Sequence, residues 1–510
     1  MAEVDRTMRA RATTWAVRFL LESLGFRDGR DSILGAQCAA RLLIPKGTAG
    51  QPATMTDEAV FPRNFLKKYP RAVRGEGCFV YTDDGRRFLD ASGGAAVVTI
   101  GHGVESVARA MAEQAARLAY LHSSQYHSAV AERLAQRVLA LAPRGMQGGG
   151  RVYFTSGGSE ATETALKLAR QYWIERGEKQ RYRVISRKQS YHGSTLGALS
   201  VSGNVRRREP FAPMLSEWGH IEPCYCYRCP YGLNFPECNV ECADALERML
   251  TEKGSHDVAA FIFEPVVGAT LGAVAPPPGY VERIAEICKR NGILLIADEV
   301  MTGMGRTGKP FAIEHEGVVP DMILVGKGIA SGYAPLGAVI VSGEVAGAIA
   351  EGSGAFLHGY TYNGHPVAAA AANAVLDYIE SERLFERVVP VGAELLRALD
   401  ALRRYSVVGD VRGRGLLLAI ELVSDAAKRE PFPADARIAT RVAADAAEAG
   451  VMTYPIQGCV DGARGDHILI APPFTINSQL IGMLVEGVER AVADLDRLHL
   501  ARIGDSTARN

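Results

Sequence analysis

From Arg151 onward, short apolar, β-branched runs alternate with longer stretches whose apolar residues recur every three or four positions. The run RVYFT at 151–155 predicts a strand. It passes through SGGS (156–159) into a helix with Ala161, Ala165, Leu168, Ala169 and Tyr172 as its apolar positions. Strands are also predicted at 183–186, 259–263, 293–297 and 322–325, with a helix over 281–291 that ends at Gly292. AAFIF (259–263) and ILLIA (293–297) are apolar throughout rather than alternating. Burial on both faces follows, as in a parallel sheet covered by helices. Past about Phe356 the rhythm changes to an Ala-rich helix over 366–379 and another over 384–402. Strands at 415–422 and 467–470 follow, then a final helix over 479–498.

The pattern predicts an α/β chain: a large domain over 101–355 with a mainly parallel central sheet, and a smaller α+β domain from 56–100 and 356–500. Residues 1–55 read as an extension, disordered or preceding a true start near Met55, and 501–510 as a tail. The apolar piece 15–21 carries Arg18 and makes a poor signal-peptide core. With 510 residues there is ample length for two domains. Lys plus Arg equals Asp plus Glu at 57 each, which gives no reason to expect a nucleic-acid or membrane partner. Nine cysteines in a chain this long suggest a reduced, cytoplasmic protein rather than a disulfide scaffold.

Three segments could carry chemistry. In FTSGGSEATETALKLAR (154–170), Gly157 and Gly158 permit a tight turn, and free N–H groups at the following helix start make an anion site. The plainer reading is a capping box with Ser159 as the N-cap. In ILLIADEV (293–300), Asp298 ends a strand, facing the crevice where open α/β sheets bind ligands. Lys327 lies just past a third strand between Gly326 and Gly328, so its amine can reach a carbonyl; a surface lysine in a turn is the alternative. The 29 residues between Asp298 and Lys327 leave room for a crossover that lets them converge. GMGRTGK (303–309) nearly spells a nucleotide phosphate loop, but Pro310 replaces the Ser or Thr that loop requires.

Together these segments resemble the class III aminotransferases, a branch of the fold-type I pyridoxal-phosphate enzymes. The resemblance runs from about 61 to 498. It includes DGRRFLDASGGAAVVTIGHG (84–103), SYHGSTLGALS (190–200), FEPVVGA (263–269), LLIADEVMTGMGRTG (294–308), LVGKGIASGYAPLGAV (324–339), HGYTYNGHPVA (358–368) and VRGRGLLLAIEL (411–422). It implies pyridoxal 5′-phosphate held by Lys327 as a Schiff base, with Lys327 then shuttling the substrate proton. Asp298 would pair with the ring nitrogen, Gly158 and Ser159 would hold the phosphate, and Tyr191 and Val300 would cover the two ring faces. Thr361 would reach the cofactor of a neighbouring subunit, implying a homodimer with shared sites, a tetramer being possible. His192 fits a supporting role better than acid–base work.

The sequence also departs from that family. Members that use 2-oxoglutarate pair Glu264 with an arginine where this chain has Leu469. Members that use pyruvate carry an arginine in the loop before GDH, and Arg464 lies near that place. The expected reaction is therefore transfer of an amino group from an amine or ω-amino acid to a 2-oxo acid, pyruvate rather than 2-oxoglutarate. It would run by a ping-pong mechanism, with Arg464 on the carboxylate or, equally, merely solvated. Ala96, where some relatives place tryptophan, leaves room for the donor. A decarboxylase, racemase or aminomutase of the same branch is the alternative. Cys224, Cys226, Cys229, Cys238 and Cys242 are dense enough for zinc, but their spacing fits no common finger; reduced thiols near the site entrance are preferred, with no metal expected.

Overall fold

The computed structural model describes residues 59–507. The extension expected at 1–55 and the end of the tail expected at 501–510 lie outside the described residues. The chain divides into two units at Pro70. Before that point, Phe61 and Phe65 pack edge to face with ring centres 4.9 Å apart.

The second unit begins with three antiparallel strands, β1 (Ala72–Glu76), β2 (Phe79–Thr82) and β3 (Arg87–Asp90). The central sheet takes β4 (Arg151–Thr155), β5 (Arg183–Arg187), β6 (His220–Ile221), β7 (Val258–Phe263), β8 (Leu294–Asp298), β9 (Met322–Val325) and β10 (Gly337–Val341). Their order in space is β4-β10-β9-β8-β7-β5-β6. β5 to β9 run parallel, and β10 runs antiparallel to both of its neighbours. β6 and β10 are not among the strands the pattern predicts. GAVIV at β10 follows Pro335 without an intervening helix, so no change of period marks it as a separate element.

The apolar runs are buried on both faces, as their lack of alternation implies. Phe261, Phe263, Leu295, Ala297, Ile323 and Val325 enter one core. Ala260, Ile262, Leu294, Ile296, Met322 and Leu324 enter the opposite one. The helix Gly158–Glu175 closes that second face through Ala161, Ala165, Ala169 and Tyr172. Trp173 Nε1 fixes it by donating to the Ala259 carbonyl at 2.8 Å.

A third layer holds β11 (Val408–Arg414), β12 (Leu417–Leu422), β13 (Val451–Met452), β14 (Tyr454–Gln457) and β15 (Asp466–Ile470). The antiparallel sheet β11-β12-β15-β14 forms from four of them, while β13 pairs parallel with β3. One core then joins Leu89 and Ile100 to Val375, Leu395, Ile420 and Leu495. The helices Pro366–Ser381 and Leu384–Asp400 fall where the period predicts. The last helix, Ser478–Thr507, runs beyond the predicted 498.

The segment resembling a phosphate loop has another use. No helix follows it: Lys309 is exposed and the next element is a short 3-10 turn, Ala312–Glu316. Arg306 is fully buried and donates to the carbonyls of Val98 (3.1 Å), Leu416 (3.2 Å) and Pro472 (2.5 Å). Its guanidinium lies 4.6 Å from the Phe474 ring centre. One side chain thus ties three distant stretches of backbone. Arg306→Met removes the donor for all three, and each buried acceptor left unsatisfied costs on the order of 1–3 kcal/mol. A urea titration followed by tryptophan fluorescence is expected to show a loss of about 3 kcal/mol or more.

Candidate active site

The parallel strands carry the site at their C-terminal ends, where the loops leave the sheet. β8 ends at Asp298, and β9 is followed by Gly326 and then Lys327. These strands are parallel neighbours with Asp298 opposite Leu324, so carboxylate and amine emerge side by side. β7 is followed by Glu264 and β5 by the loop bearing Tyr191 and His192. β4 leads into Gly157, where the helix Gly158–Glu175 begins.

A cavity of about 170 Å³ lies among these ends, lined by Gly158, Ser159, Tyr191, His192, Gly193, Glu264, Ala269, Asp298, Val300, Met301 and Lys327. Six of the expected site residues, Gly158, Ser159, Tyr191, Asp298, Val300 and Lys327, therefore meet in one place. Thr361 and Arg464 do not line it. Thr361 is exposed, and its backbone carbonyl accepts from the Tyr120 hydroxyl at 3.0 Å. Arg464 is exposed on its loop, with Nε 2.8 Å from Asp461 Oδ2 and Nη1 3.8 Å from Glu430 Oε1.

The walls pack closely. A Cβ added at Gly158 would come within 2.7 Å of Val300 Cγ1, and one at Gly326 within 3.1 Å of the same atom. Two bare backbones therefore clamp Val300. Gly193 has φ +142°, and a Cβ there would meet the Ser159 hydroxyl at 2.7 Å. Ser159 is not the helix cap that the plainer reading supposed. The helix begins at Gly158 with Gly157 as its N-cap, and the Ser159 hydroxyl instead accepts from the Ser194 N–H at 3.0 Å. The N–H groups at that helix end remain available for an anion.

Charge in the cavity is set mainly by burial. Asp298 Oδ2 lies 2.7 Å from His192 Nδ1, and its Oδ1 accepts from the Val300 N–H at 3.0 Å. His192 is buried, and its Nε2 has no hydrogen-bond partner among the described residues. The imidazole so placed orients the carboxylate, in keeping with a supporting role. Burial pushes the Lys327 amine down to about 8, while Asp298 and Glu264 partly oppose the shift and the Arg207 and Arg306 guanidiniums add to it. Burial raises the Glu264 carboxyl, whose oxygens accept from the N–H groups of Tyr191 (3.0 Å) and Gly268 (2.9 Å). Lys327 and Asp298 line one cavity without forming an ion pair with each other. That arrangement suits a group that takes an amine at one end and a carboxylate at the other.

The surroundings of Leu469 are apolar. Leu469 is fully buried and packs with Ala96, Val266, Ala273, Leu417 and Ala471, and Met301 joins this cluster from the cavity. Of the cysteine-rich segment, Cys224 and Cys242 are buried in a core, Cys229 lines a second cavity with Gln189 and Val205, and all five thiols are free. Met301, Gly193 and Ala269 were not singled out by sequence, although each lies inside one of the segments that carry the resemblance.

Comparisons with known proteins point to one family. The family model described as aminotransferase class-III matches residues 63–492. An uncharacterized aminotransferase of Bacillus subtilis is 39% identical over 430 residues, covering 84% of this chain and 96% of that one. An amine transaminase from an uncultivated Pseudomonas species, solved in its PLP-bound form, superposes with TM-score 0.80 at 39% identity, over 87% of this chain and 99% of its own. A thermostable (S)-enantioselective omega-transaminase from Thermomicrobium roseum gives 0.79 at 38% identity, over 92% and 99%.

The shifted amine yields a direct test. Below pH 8 its neutral fraction rises about tenfold per pH unit and then levels off, whereas an exposed lysine keeps rising towards its ordinary value near 10.4. Imine formation with an aromatic aldehyde, followed by absorbance and located by borohydride quenching and peptide mass, is expected to trace that curve at Lys327.

Proposed function

We propose a reaction for a chain that belongs to the class III aminotransferases: it moves an amino group from an amine or ω-amino acid to a 2-oxo acid, with pyruvate preferred over 2-oxoglutarate. The cofactor of this family is pyridoxal 5′-phosphate, and the site fits it through the bare glycine cradle beside Val300 and Ser159 and through an amine and a carboxylate that leave each other unpaired. When bound, that cofactor supplies an electron sink and carries the amino group from the first substrate to the second, in two half-reactions.

The chain's own residues have these parts. Lys327 Nζ holds the cofactor and, when freed, moves the proton at the substrate's reacting carbon; its lowered pKa keeps much of the amine in the form that can do so near pH 8. Asp298, oriented by His192 and the Val300 N–H, holds a proton on the ring nitrogen. Gly158 and Ser159 would offer backbone N–H groups to the cofactor's phosphate, and Tyr191 and Val300 would cover its ring. The single observation that carries the reading is the convergence of a half-buried lysine and a buried aspartate, from the ends of two adjacent parallel strands, on one cavity.

Preference for pyruvate rests on the apolar wall. Leu469 occupies the place of the arginine that 2-oxoglutarate users show, and both Glu264 oxygens are engaged by backbone N–H groups. A buried wall of Ala, Val and Leu offers a second carboxylate no partner, and an unpaired buried charge is costly.

A homodimer with shared sites is part of the proposal. Thr361 is exposed and does not line its own cavity, and Leu357, Tyr362 and Tyr120 near it in sequence or space are 83%, 60% and 40% exposed. Large apolar side chains left open together suit an interface with a second copy. The free thiols fit a reducing compartment such as the cytoplasm.

Incubation of the holoprotein with a panel of amines and pyruvate is expected to yield alanine, with 2-oxoglutarate a poorer acceptor. Lys327→Ala should slow transfer by roughly 10³-fold or more and Asp298→Asn by roughly 10²-fold, on the scale of lost proton-transfer and electrostatic groups. No alanine from any amine would sink the reading. Sedimentation should show a dimer, and Thr361→Ala should weaken cofactor retention about tenfold, as for one hydrogen bond to a charged group.

A further inference from the structure

Arg464 lies near the place where the family resemblance sought a carboxylate clamp, but Asp461 and Glu430 already engage it. Across the same loop lies a different arginine. The loop packs its Gly462 against the short helix Val205–Arg208: a Cβ at Gly462 would fall 2.9 Å from Val205 Cβ and 3.6 Å from Arg206 N. The side chain of Asn204 caps that helix by accepting from the Arg207 N–H at 3.2 Å. Arg206 extends to the Gln457 amide oxygen (3.2 Å), and Arg208 pairs with Glu217 (2.6 Å).

Arg207 differs from both. Its guanidinium lies 4.3 Å from the ring centre of Tyr191, a residue of the cavity wall. No carboxylate among the described residues pairs with it, though it is half-buried. Its charge is felt inside the cavity, where it is one of two guanidiniums that lower the Lys327 amine. An arginine stacked on an aromatic ring keeps its fork of N–H donors free at the edge, and that fork matches a carboxylate. No arginine lines the cavity itself, so Arg207, beside it on Tyr191, brings a guanidinium that the lining lacks.

We propose that Arg207 binds the carboxylate of the 2-oxo-acid acceptor, making it the residue that sets specificity for that substrate; the proposal rests on the aminotransferase reading above. The test compares wild type, Arg207→Gln, Arg207→Lys and Arg464→Gln holoenzymes. Two acceptors are used, pyruvate and acetaldehyde, which differ by the carboxylate. Equilibrium binding of propionate, an unreactive carboxylate, is read from the perturbed absorbance of the bound cofactor.

Arg207→Gln is expected to raise KM for pyruvate at least about tenfold, as for a lost charged hydrogen bond. Its loss with pyruvate should exceed its loss with acetaldehyde by a similar factor, and propionate should bind about tenfold more weakly. Arg207→Lys should recover part of the binding. Equal losses with both acceptors, and unchanged propionate binding, would mean that the guanidinium only props Tyr191, and would overturn the proposal. A pyruvate-specific loss in Arg464→Gln instead of Arg207→Gln would overturn it equally. If wild type aminated no 2-oxo acid, the reaction proposed above would fall, while propionate binding to wild type and Arg207→Gln would still decide whether Arg207 recognises a carboxylate.

Discussion

The site depends on the parallel pairing of β8 with β9. Asp298 sits opposite Leu324, and the Glu299 N–H donates to the Leu324 carbonyl at 3.0 Å, so the register is fixed up to the point where the strands part. Lys327 follows at once, in a left-handed backbone conformation with φ +44°. Because successive residues of a strand face opposite cores, a slip of one residue would place apolar side chains on the wrong face all along the sheet. The packing that stabilises the sheet thus also sets the spacing of amine and carboxylate.

Burial, the same agent that makes the core, makes the chemistry. It lowers the Lys327 amine and raises Glu264, and it pushes the neighbouring Glu299 up to about 7. Each group is then steadied by a few short-range partners: Tyr191 and Gly268 N–H for Glu264, Ile313 N–H for Glu299, His192 for Asp298. The cavity is reactive because its charged groups are held out of water yet not neutralised by one another.

Much of this could be read from the sequence. The unbroken apolar runs that became β7 and β8 announced a doubly covered sheet, and residues just past strand ends announced the cavity. What stayed hidden had physical reasons. β10 gave no sign because no helix separates it from its approach. Ser159 looked like a cap because spacing alone does not show which residue starts a helix; the hydroxyl was claimed by Ser194 N–H, far along the chain. Arg464 had a suggestive place in the loop, but the effect of Asp461 three residues earlier depends on how that loop folds. Arg207 was one of three consecutive arginines, told apart only by what each side chain meets in space.

The clamp on Val300 has a further consequence for how such a protein can change. Neither Gly158 nor Gly326 can gain a side chain without displacing it, so that flank is closed to variation. The apolar cluster that Met301 joins from the cavity is made of Ala96, Val266, Leu417 and Leu469, residues that tolerate resizing if their summed volume is kept. Evolution, or an engineer seeking bulkier donors, would find its latitude there, reshaping the tolerant wall while the glycine-lined one keeps the machinery in place.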